Sequence, residues 1–398
     1  MKIIHTSDWH LGHVLYGYDR TFEQQCMLEQ VRRIVEEQQP DALVVSGDVY
    51  HNSLPGAQVQ RLFTDALLSI HRAAPEMEIV VTAGNHDSAA RLEIDRNLWY
   101  MARVHVVGNI SRSEGQANYD KHIIRIGDKG FVAAVPYVFE QNFPPAAEGQ
   151  NRQQAFFQGL LNAVKQQNKH DLPVVLMAHL AVTGCDMTGH NVPADSIGSI
   201  ETVPLSTFGQ DYDYLALGHI HRPQTMRAGQ RVARYSGSPL AVSFDEDYPH
   251  SVSLVELLPG QEPQITLIPI HNQRPLTTLP RKAVGFDEAI DALKAFNSND
   301  ASYIRLHVQA DKGLPADAKE RAVAATNGKQ CSFCTFKITR ATPISDLQQN
   351  INLSAEEFRK MTPIDVAMQY MKRKGWNDDD FIEMMNQVVK QLNEEKRQ

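Results

Sequence analysis

The stretch that organises the chain is Met77-Glu-Ile-Val-Val-Thr-Ala-Gly-Asn-His-Asp87, an apolar run that ends in three polar side chains. Residues 77–83 have the length and composition of a buried β-strand. Gly84 gives the backbone room to turn, so the polar residues follow the strand directly. An amide oxygen, an imidazole and a carboxylate in this order have little use in an ordinary turn, and they indicate ligand chemistry.

The same arrangement occurs earlier in the chain. Strands are predicted over Lys2–Thr6 and Ala42–Ser46, and helices over 21–39 and 56–72, where apolar residues recur at helical spacing. This part of the chain therefore has a β-α-β-α-β pattern with continuous apolar strands. Such a pattern is typical of a parallel sheet covered by helices on both faces.

Further polar clusters stand at the ends of predicted strands. Ser7-Asp8-Trp9-His10 and Ser46-Gly47-Asp48 follow the first two strands, and Gly218-His219-Ile220-His221 follows a strand at 212–217. His179 comes just after another apolar run at 173–177. Because ligands of open α/β sheets bind beyond the carboxyl ends of the strands, we expect these clusters to converge.

Seven of these side chains are candidate metal ligands: Asp8, His10, Asp48, Asn85, His179, His219 and His221. Imidazole, carboxylate and amide ligands suit Mn²⁺, Fe²⁺ or Zn²⁺ better than Ca²⁺. With Asp48 as a bridge, the set fits two metals about 3.5–4 Å apart. His219 and His221 can chelate one ion together or face two neighbouring ions.

His86 is not needed as a ligand, and we expect it to donate a proton or hydrogen bond to the substrate. Asp87 would then orient and charge the His86 imidazole. Each cluster alone has an ordinary explanation, since Asp-x-His and Gly-Asp also occur in turns, and a single histidine is often structural. Five clusters at five predicted strand ends favour the joint interpretation.

Composition limits the class of protein. A chain of 398 residues predicts two or three domains, and no apolar run approaches the ~20 residues that span a bilayer. The N-terminus lacks the pattern of a signal peptide, so we expect a cytoplasmic protein without membrane contact. The net charge of −8 argues against coating nucleic acid by bulk charge. Two divalent ions on two carboxylates would nevertheless leave a local charge of about +2 for a phosphate.

The remainder of the chain predicts further units. A proline-containing basic stretch at 269–285 indicates a boundary, so we place a first domain at 1–272, a small α/β module at 273–342 and a helical segment at 343–398. Cys331-x-x-Cys334 has no second pair to complete a zinc site, and all four cysteines are expected to be reduced.

With these motifs the chain resembles the calcineurin-like metallophosphoesterase superfamily, which implies a two-sheet α/β sandwich with its metals at one edge. Four longer stretches are similar to the SbcD family of double-strand-break nucleases: His5-Thr-Ser-Asp-Trp-His-Leu-Gly12, Gly47-Asp-Val-Tyr-His51, Tyr235-Ser-Gly-Ser-Pro239 and Ser243-Phe-Asp-Glu246. The length and three-part layout also match that family. The small module would then be a capping domain that helps to orient DNA.

The resemblance implies roles for individual residues. The first metal would be held by Asp8, His10, Asp48 and His221, and the second by Asp48, Asn85, His179 and His219. Mn²⁺ is the usual ion, with Mg²⁺, Fe²⁺ or Zn²⁺ as alternatives. The residue that matches His86 assists phosphodiester cleavage, and His51 matches a histidine that archaeal relatives use in the exonuclease step. Otherwise His51 is an ordinary surface histidine.

The resemblance also implies an activity and partners. These are 3′→5′ exonuclease action on duplex ends and endonuclease action on hairpins and single strands, in DNA repair, recombination and replication. The partner would be an SbcC-like ATPase with a coiled coil, in an SbcC2–SbcD2 heterotetramer around a homodimer formed by the helices at 56–72 and 88–102. The segment at 343–398 would dock on the coiled coil through five methionines (Met361, Met368, Met371, Met384 and Met385), or else pack on its own chain.

Two other functions stay open at this stage. One is a phosphoesterase of the same fold that acts on cyclic nucleotides, nucleotides or phosphoproteins. Protein phosphatases carry Gly-Asp-x-x-Asp-Arg-Gly, however, whereas this chain has Gly47-Asp-Val-Tyr-His-Asn-Ser53. The other is a non-catalytic scaffold, although no ligand position is lost here. Arg20, Arg61 and Arg91 lie near the motifs and are candidate phosphate contacts.

Overall fold

The computed structural model describes residues 1–189, 202–229, 231–297, 301–311 and 313–340. Two six-stranded sheets form the larger part. The spatial order of the first sheet is Gln264–Pro269, Ser251–Glu256, Lys2–Thr6, Ala42–Ser46, Glu78–Thr82 and Val104–Val107. The order of the second is Gln224–Ala228, Arg231–Tyr235, Tyr214–Gly218, Val174–His179, Gly130–Ala134 and Ile123–Ile126.

Each sheet contains a run of four parallel strands. In the first sheet this run extends from Lys2–Thr6 to Val104–Val107, and the two C-terminal strands pair antiparallel at one edge. In the second it extends from Arg231–Tyr235 to Gly130–Ala134, with one antiparallel strand at each edge. The strands after residue 231 are therefore mixed in direction, as expected where helices no longer connect them.

The two sheets pack face to face, and alternate residues along each strand show this directly. In Ala42–Ser46, Ala42 and Val44 lie in an apolar layer with Val175 and Met177 of the second sheet. Leu43 and Val45 point the other way, into a layer shared with the helices. Because successive side chains of a strand point to opposite faces, one strand serves both layers.

The helices Thr21–Gln38 and Ala57–Ala73 lie together on the outer face of the first sheet. The helix Arg152–Gln167 covers the outer face of the second sheet. The prediction of helices on both faces of one parallel sheet is therefore wrong, since the inner face is covered by another sheet. Continuous apolar strands show that both faces are buried, but they do not show by what. The two-sheet α/β sandwich implied by the family resemblance is confirmed.

Several shorter elements lie between these strands and helices. In the ranges that the structure describes, the other α-helices are Ala89–Leu92, Arg96–Trp99, Phe286–Ala295 and Ala318–Ala324, and the 3₁₀ turns are Tyr100–Ala102, Tyr119–Lys121, Glu140–Asn142 and Leu205–Phe208. Three two-residue strand pairs join Val14–Leu15 to Tyr18–Asp19, Arg112–Ser113 to Gln116–Ala117, and Ala181–Val182 to Thr202–Val203. Among the described residues, no helix is long and apolar enough to cross a membrane.

A separate three-stranded parallel sheet is formed by Leu276–Val284, Ser302–Gln309 and Cys331–Thr339. Its two helices enclose a small apolar core of their own. Polar contacts tie this module to the sandwich: the Tyr303 hydroxyl donates to Glu23 Oε1 at 2.7 Å, and Arg305 Nη1 donates to Asp245 Oδ1 at 2.8 Å. The predicted helical segment at 343–398, with its five methionines, lies outside the described residues.

Arg20 lies at this junction and is only 1% exposed. Its guanidinium sits over the Tyr303 ring, 5.9 Å from the centroid, and donates to the carbonyl oxygen of Ala241. The suggestion that Arg20 contacts a DNA phosphate is therefore wrong, because the side chain is enclosed between the sandwich and the small module.

Candidate metal centre

The carboxyl ends of the parallel strands of both sheets meet at one edge of the sandwich. The first sheet brings Asp8, His10, Asp48 and Asn85 to this edge, and the second brings His179, His219 and His221. All seven predicted ligands meet there. A cavity of about 570 Å³ opens onto six of them, all but Asp8, and His51 and His86 line it as well.

Three of these side chains, Asp8, His10 and His221, form one group. One ligand atom from each lies within 4.8 Å of the others. The Nε2 atoms of His10 and His221 face each other at 3.1 Å. Two ring nitrogens at this distance share at most one hydrogen bond, whereas a cation can take the lone pairs of both.

Asp48, His179 and His219 form a second group with the same spacing. The side-chain oxygen of Asn85 joins it, 3.1 Å from His179 Nε2 and 2.9 Å from His219 Nδ1. His219 and His221 therefore belong to different groups, which resolves the alternative that their sequence spacing left open.

Asp48 stands between the two groups. Its Oδ2 atom lies 3.3 Å from His179 Nε2 and 3.8 Å from His10 Nε2, while Oδ1 accepts a hydrogen bond from the backbone of His86 at 2.9 Å. The Asp48 side chain is 2% exposed, and the surrounding imidazoles hold the pKa of its carboxyl below the usual range in spite of burial. A buried carboxylate in this position can bridge two cations.

Backbone contacts fix the orientation of His179. Its Nδ1 atom lies 2.8 Å from the carbonyl oxygen of Ser46, so Nδ1 donates, and in the neutral ring the Nε2 lone pair points into the second group. Burial lowers the pKa of His179, but the carboxylates of Asp48 and Asp8 raise it by more than burial lowers it, and the resulting pKa is about 9. A metal ion held at Nε2 would therefore compete with a proton for this ring.

Glu246 fixes His221 in a comparable way, and sequence reasoning assigned it no role. Its Oε1 atom lies 3.0 Å from His221 Nδ1, and its Oε2 accepts a hydrogen bond from Ser238 Oγ at 3.0 Å. Burial lowers the pKa of His221, and Glu246 raises it to about 9. A carboxylate behind a ligating histidine sets the tautomer and the angle of the ring. The sequence did carry a signal for Glu246, because residues 243–246 are one of the stretches that resemble the SbcD family.

The stretch 235–239 supports Asp8 on the other side of the same group. The hydroxyls of Ser236 and Ser7 lie 2.9 Å apart, and Ser7 Oγ donates to Asp8 Oδ2 at 2.5 Å. The backbone of His219 donates to Asp8 Oδ1 at 3.0 Å. These contacts leave the carboxylate little freedom to rotate, so it is held in place before any ion binds.

Four of the seven candidate ligands have a left-handed backbone: Asp8, His10, Asp48 and His219, with φ values of 54°, 44°, 49° and 92°. This conformation is uncommon outside glycine, and it persists only where the surroundings enforce it, often at functional sites. Gly84 has a different task from the predicted turn. A Cβ atom there would overlap the Asp48 carboxylate, so glycine allows the two loops to approach.

Asp87 does not orient His86, and this prediction needs correction. Its carboxylate accepts hydrogen bonds from the backbone nitrogens of Val49, Tyr50 and Gly84, at 3.1, 2.9 and 2.8 Å. Within the described part of the chain, no hydrogen bond joins Asp87 to the His86 ring. Because two of these amides follow Asp48 and the third is that of Gly84, Asp87 clamps the Asp48 loop to the Gly84 loop.

The His86 ring is instead held by the residue at position 51. His86 Nδ1 lies 2.8 Å from the carbonyl oxygen of His51, and the two rings stack with centroids 5.7 Å apart. His13 packs edge-on against His51 at 4.5 Å. With Nδ1 donating to a carbonyl, His86 can present Nε2 to a molecule in the cavity.

The donor set fits two divalent ions. Imidazole nitrogens, carboxylate oxygens and an amide oxygen converge, and each of them offers a lone pair to a cation when it carries no proton. Such a cluster is costly to bury without a cation to share. Asp8, His10 and His221 can hold one ion, and His179, His219 and Asn85 another, with Asp48 between them.

The amino-acid sequence that forms this site is similar to those of known proteins. Residues 1–223 match the family model described as calcineurin-like phosphoesterase. The D subunit of nuclease SbcCD from Rhodobacter capsulatus is 35% identical over 70% of this chain and 72% of its own length. The proteins of the same name from Bacillus subtilis and Escherichia coli are each 31% identical, over 69% and 62% of this chain and 71% and 62% of their own lengths.

Proposed function

This chain belongs to the calcineurin-like phosphoesterase family, and from that membership we propose that it is a Mn²⁺-dependent DNA nuclease of the SbcD type. The proposed activities are 3′→5′ exonuclease action on duplex ends and endonuclease action on hairpins and single strands. The observation that carries the proposal is the complete set of seven ligands in two groups around Asp48. Relatives named as components of nuclease SbcCD support the choice of DNA as substrate.

In this proposal Asp8, His10, Asp48 and His221 hold one ion, and Asp48, Asn85, His179 and His219 hold the other. Bound there, two divalent ions supply a nucleophile at neutral pH and positive charge for the phosphate oxygens. The chain itself holds the ligand rings at fixed angles through Ser46 and Glu246. It also keeps the two groups in register through the Asp87 clamp.

His86 is the proposed catalytic residue. The carbonyl oxygen of His51 fixes its Nδ1, so a protonated His86 donates from Nε2 to the phosphate or to the leaving oxygen. The His51 ring stacks on His86 and lines the same cavity, which suits a role in positioning the substrate strand. Asp87 acts on the reaction only by positioning the loops.

The activity test uses purified protein, linear duplex DNA and Mn²⁺, first alone and then with an SbcC-like ATPase and ATP. We expect nucleotide release that stops when the ions are removed with a chelator. Turnover of cyclic nucleotides without DNA cleavage, even with the ATPase and ATP, would instead favour a nucleotide phosphodiesterase. Metal binding without hydrolysis of any phosphodiester would favour a scaffold.

The proposed partners rest on the similarity to the same relatives. The relatives are named as one component of a nuclease called SbcCD, which implies a second component, so we propose an SbcC-like coiled-coil ATPase as partner in a cytoplasmic SbcC2–SbcD2 complex. We also propose that residues 273–342 form a capping domain beside the DNA. The separate apolar core of that module and its polar contacts with the sandwich support this division.

A homodimer is proposed through the segment at 88–102. Instead of one helix, this segment consists of short helical pieces, and four large apolar side chains stand in solvent: Ile94, Leu98, Tyr100 and Met101, at 79%, 67%, 69% and 83% exposure. Contiguous exposed apolar residues of this size mark interaction surfaces. A second copy of the chain can cover them with an equivalent surface.

Leu98→Asp combined with Met101→Asp is expected to convert the dimer into a monomer, because two buried carboxylates would meet their symmetry copies. Light scattering at working concentration checks this. Leu258→Asp is the matched control, since Leu258 is also exposed, at 51%, and lies away from the segment. A wild-type protein that is already monomeric would refute the proposed interface.

A further inference from the structure

The cavity at the metal centre has an apolar wall that phosphate chemistry does not require. Besides the histidines, Tyr137, Phe139, Phe143 and Phe157 line it. A phosphate and its ions need polar partners, whereas sites for organic groups are lined mostly by apolar and aromatic side chains. This wall therefore fits a flat, apolar part of the substrate.

The wall is fixed relative to the candidate ligands. Tyr137, Phe139 and Phe143 belong to the loop 135–143, which leaves the strand Gly130–Ala134 at the same edge of the sandwich, and Phe157 belongs to the helix Arg152–Gln167. Tyr137 donates its backbone N–H to the carbonyl oxygen of Ala83 at 2.8 Å, two residues before Asn85. At the far end of the loop, Phe143 is 2% exposed and packs into the core below the second sheet.

Two aromatic rings form a row that starts at the candidate ligand His179 and ends at the protein surface. The Tyr137 ring lies edge-on to the His179 ring, with centroids 6.3 Å apart, and the Phe139 ring lies edge-on to Tyr137 at 5.5 Å. Phe139 is 56% exposed. One exposed phenylalanine on a surface is ordinary, but this one borders the cavity and continues a line of rings that begins at the metal centre.

We propose that Tyr137 and Phe139 form a stacking platform for an unpaired nucleobase next to the phosphodiester that is cleaved. This rests on the proposed function, because it requires a polynucleotide at the metal centre. The faces of all four bases stack on aromatic side chains, so such a platform binds without reading sequence. A cavity of about 570 Å³ accommodates a nucleotide-sized group, since pockets of roughly 300–1,000 Å³ take single small ligands.

The platform has a consequence for the form of the DNA. A base that enters this cavity to stack on Phe139 has to leave the duplex stack, which also unpairs it from the complementary strand. The strand that is cut is therefore separated from its partner near the metal centre. Ends that fray easily, and single strands, are then better substrates than stable duplex ends.

The test compares two single-stranded oligonucleotides that differ only in whether the 3′-terminal nucleotide carries its base or is abasic. Each protein is assayed as the full chain with Mn²⁺, and the readout is the ratio of the two cleavage rates. In the wild type we expect this ratio to be about 10 or more, because stacking stabilises a bound base. In Phe139→Ala it should fall towards one, and Phe139→Trp should restore it.

Phe22→Ala is the matched control and should keep the wild-type ratio, because Phe22 is also an exposed phenylalanine, at 58%, and it does not line the cavity. The rise in Tm on adding Mn²⁺ shows that each variant retains its metal centre. Equal ratios in the wild type and in Phe139→Ala would refute the platform.

A second measurement separates this proposal from the nuclease proposal. Binding of a 2-aminopurine oligonucleotide in Ca²⁺ reports stacking through the fluorescence of the base, without cleavage. Base-dependent binding that Phe139→Ala removes, in a protein that cuts no DNA, would support the platform and refute the nuclease. DNA cleavage without any base-dependent binding would support the nuclease and refute the platform.

Discussion

Replacing His86 by alanine is expected to reduce DNA cleavage by about 10²–10⁴-fold, the usual contribution of a positioned general acid or base. The ring is held from behind by the carbonyl oxygen of His51, so its Nε2 can reach the substrate. His86 does lie near His10 and His51, close enough for the three rings to share an ion, but it belongs to neither of the groups centred on His221 and His219. Binding of two Mn²⁺ ions should therefore survive the substitution.

Cleavage rates on linear duplex DNA and calorimetric titration with Mn²⁺ together check this prediction. His170→Ala serves as the matched control, because His170 is an exposed histidine outside the cavity. If His86→Ala lost Mn²⁺ binding together with cleavage, His86 would be a ligand, and its assignment as the catalytic group would be wrong. Full activity in the variant would be equally damaging.

Asp48→Asn is expected to have a still larger effect, because it acts on both groups at once. The carboxylate faces His179 on one side and His10 on the other. The substitution removes one negative charge. The amide would also place either an oxygen or an NH₂ group where one oxygen has to serve two cations. We expect at most one ion to bind, weakly, and DNA cleavage to fall below detection.

The measurement is the rise in Tm with increasing Mn²⁺. Ligand at about 100 times its Kd stabilises a folded protein by about 2.7 kcal/mol, so the wild type should show a clear rise and Asp48→Asn little or none. Glu246→Ala provides a graded comparison, since it removes only the support of His221, and about 10–100-fold weaker binding is expected. Equal Tm curves for the wild type and Asp48→Asn would rule out the bridging role.

Much of the fold could be predicted because its signals are local. Apolar runs followed by turns located the strands at Lys2–Thr6 and Ala42–Ser46, and helical spacing located the helix Thr21–Gln38 to within a residue. What covers each face of the first sheet could not be predicted. An apolar strand is compatible with a helix or a second sheet as its neighbour, and that choice depends on strands far away in the chain.

The candidate ligands were also visible as residue types at the ends of strands, and the structure brings all seven to one edge. Their partners were not visible. Asp87 is next to His86 in the chain, but the Asp87 carboxylate accepts hydrogen bonds from the amides of Val49 and Tyr50, which lie 38 and 37 residues earlier. Adjacent positions in a turn therefore did not give an interacting pair.

The residues along the chain were sufficient to indicate which chemistry is present: histidines, carboxylates and an amide in a pattern that suits divalent ions. The tertiary structure was needed to divide them into two groups, to place Asp48 between these groups, and to show that Glu246 and the carbonyl oxygens of Ser46 and His51 hold the rings. The physical reason is that a residue's identity sets which bonds it can form. Which bond it does form depends on the atoms that two packed sheets bring within about 3 Å of it.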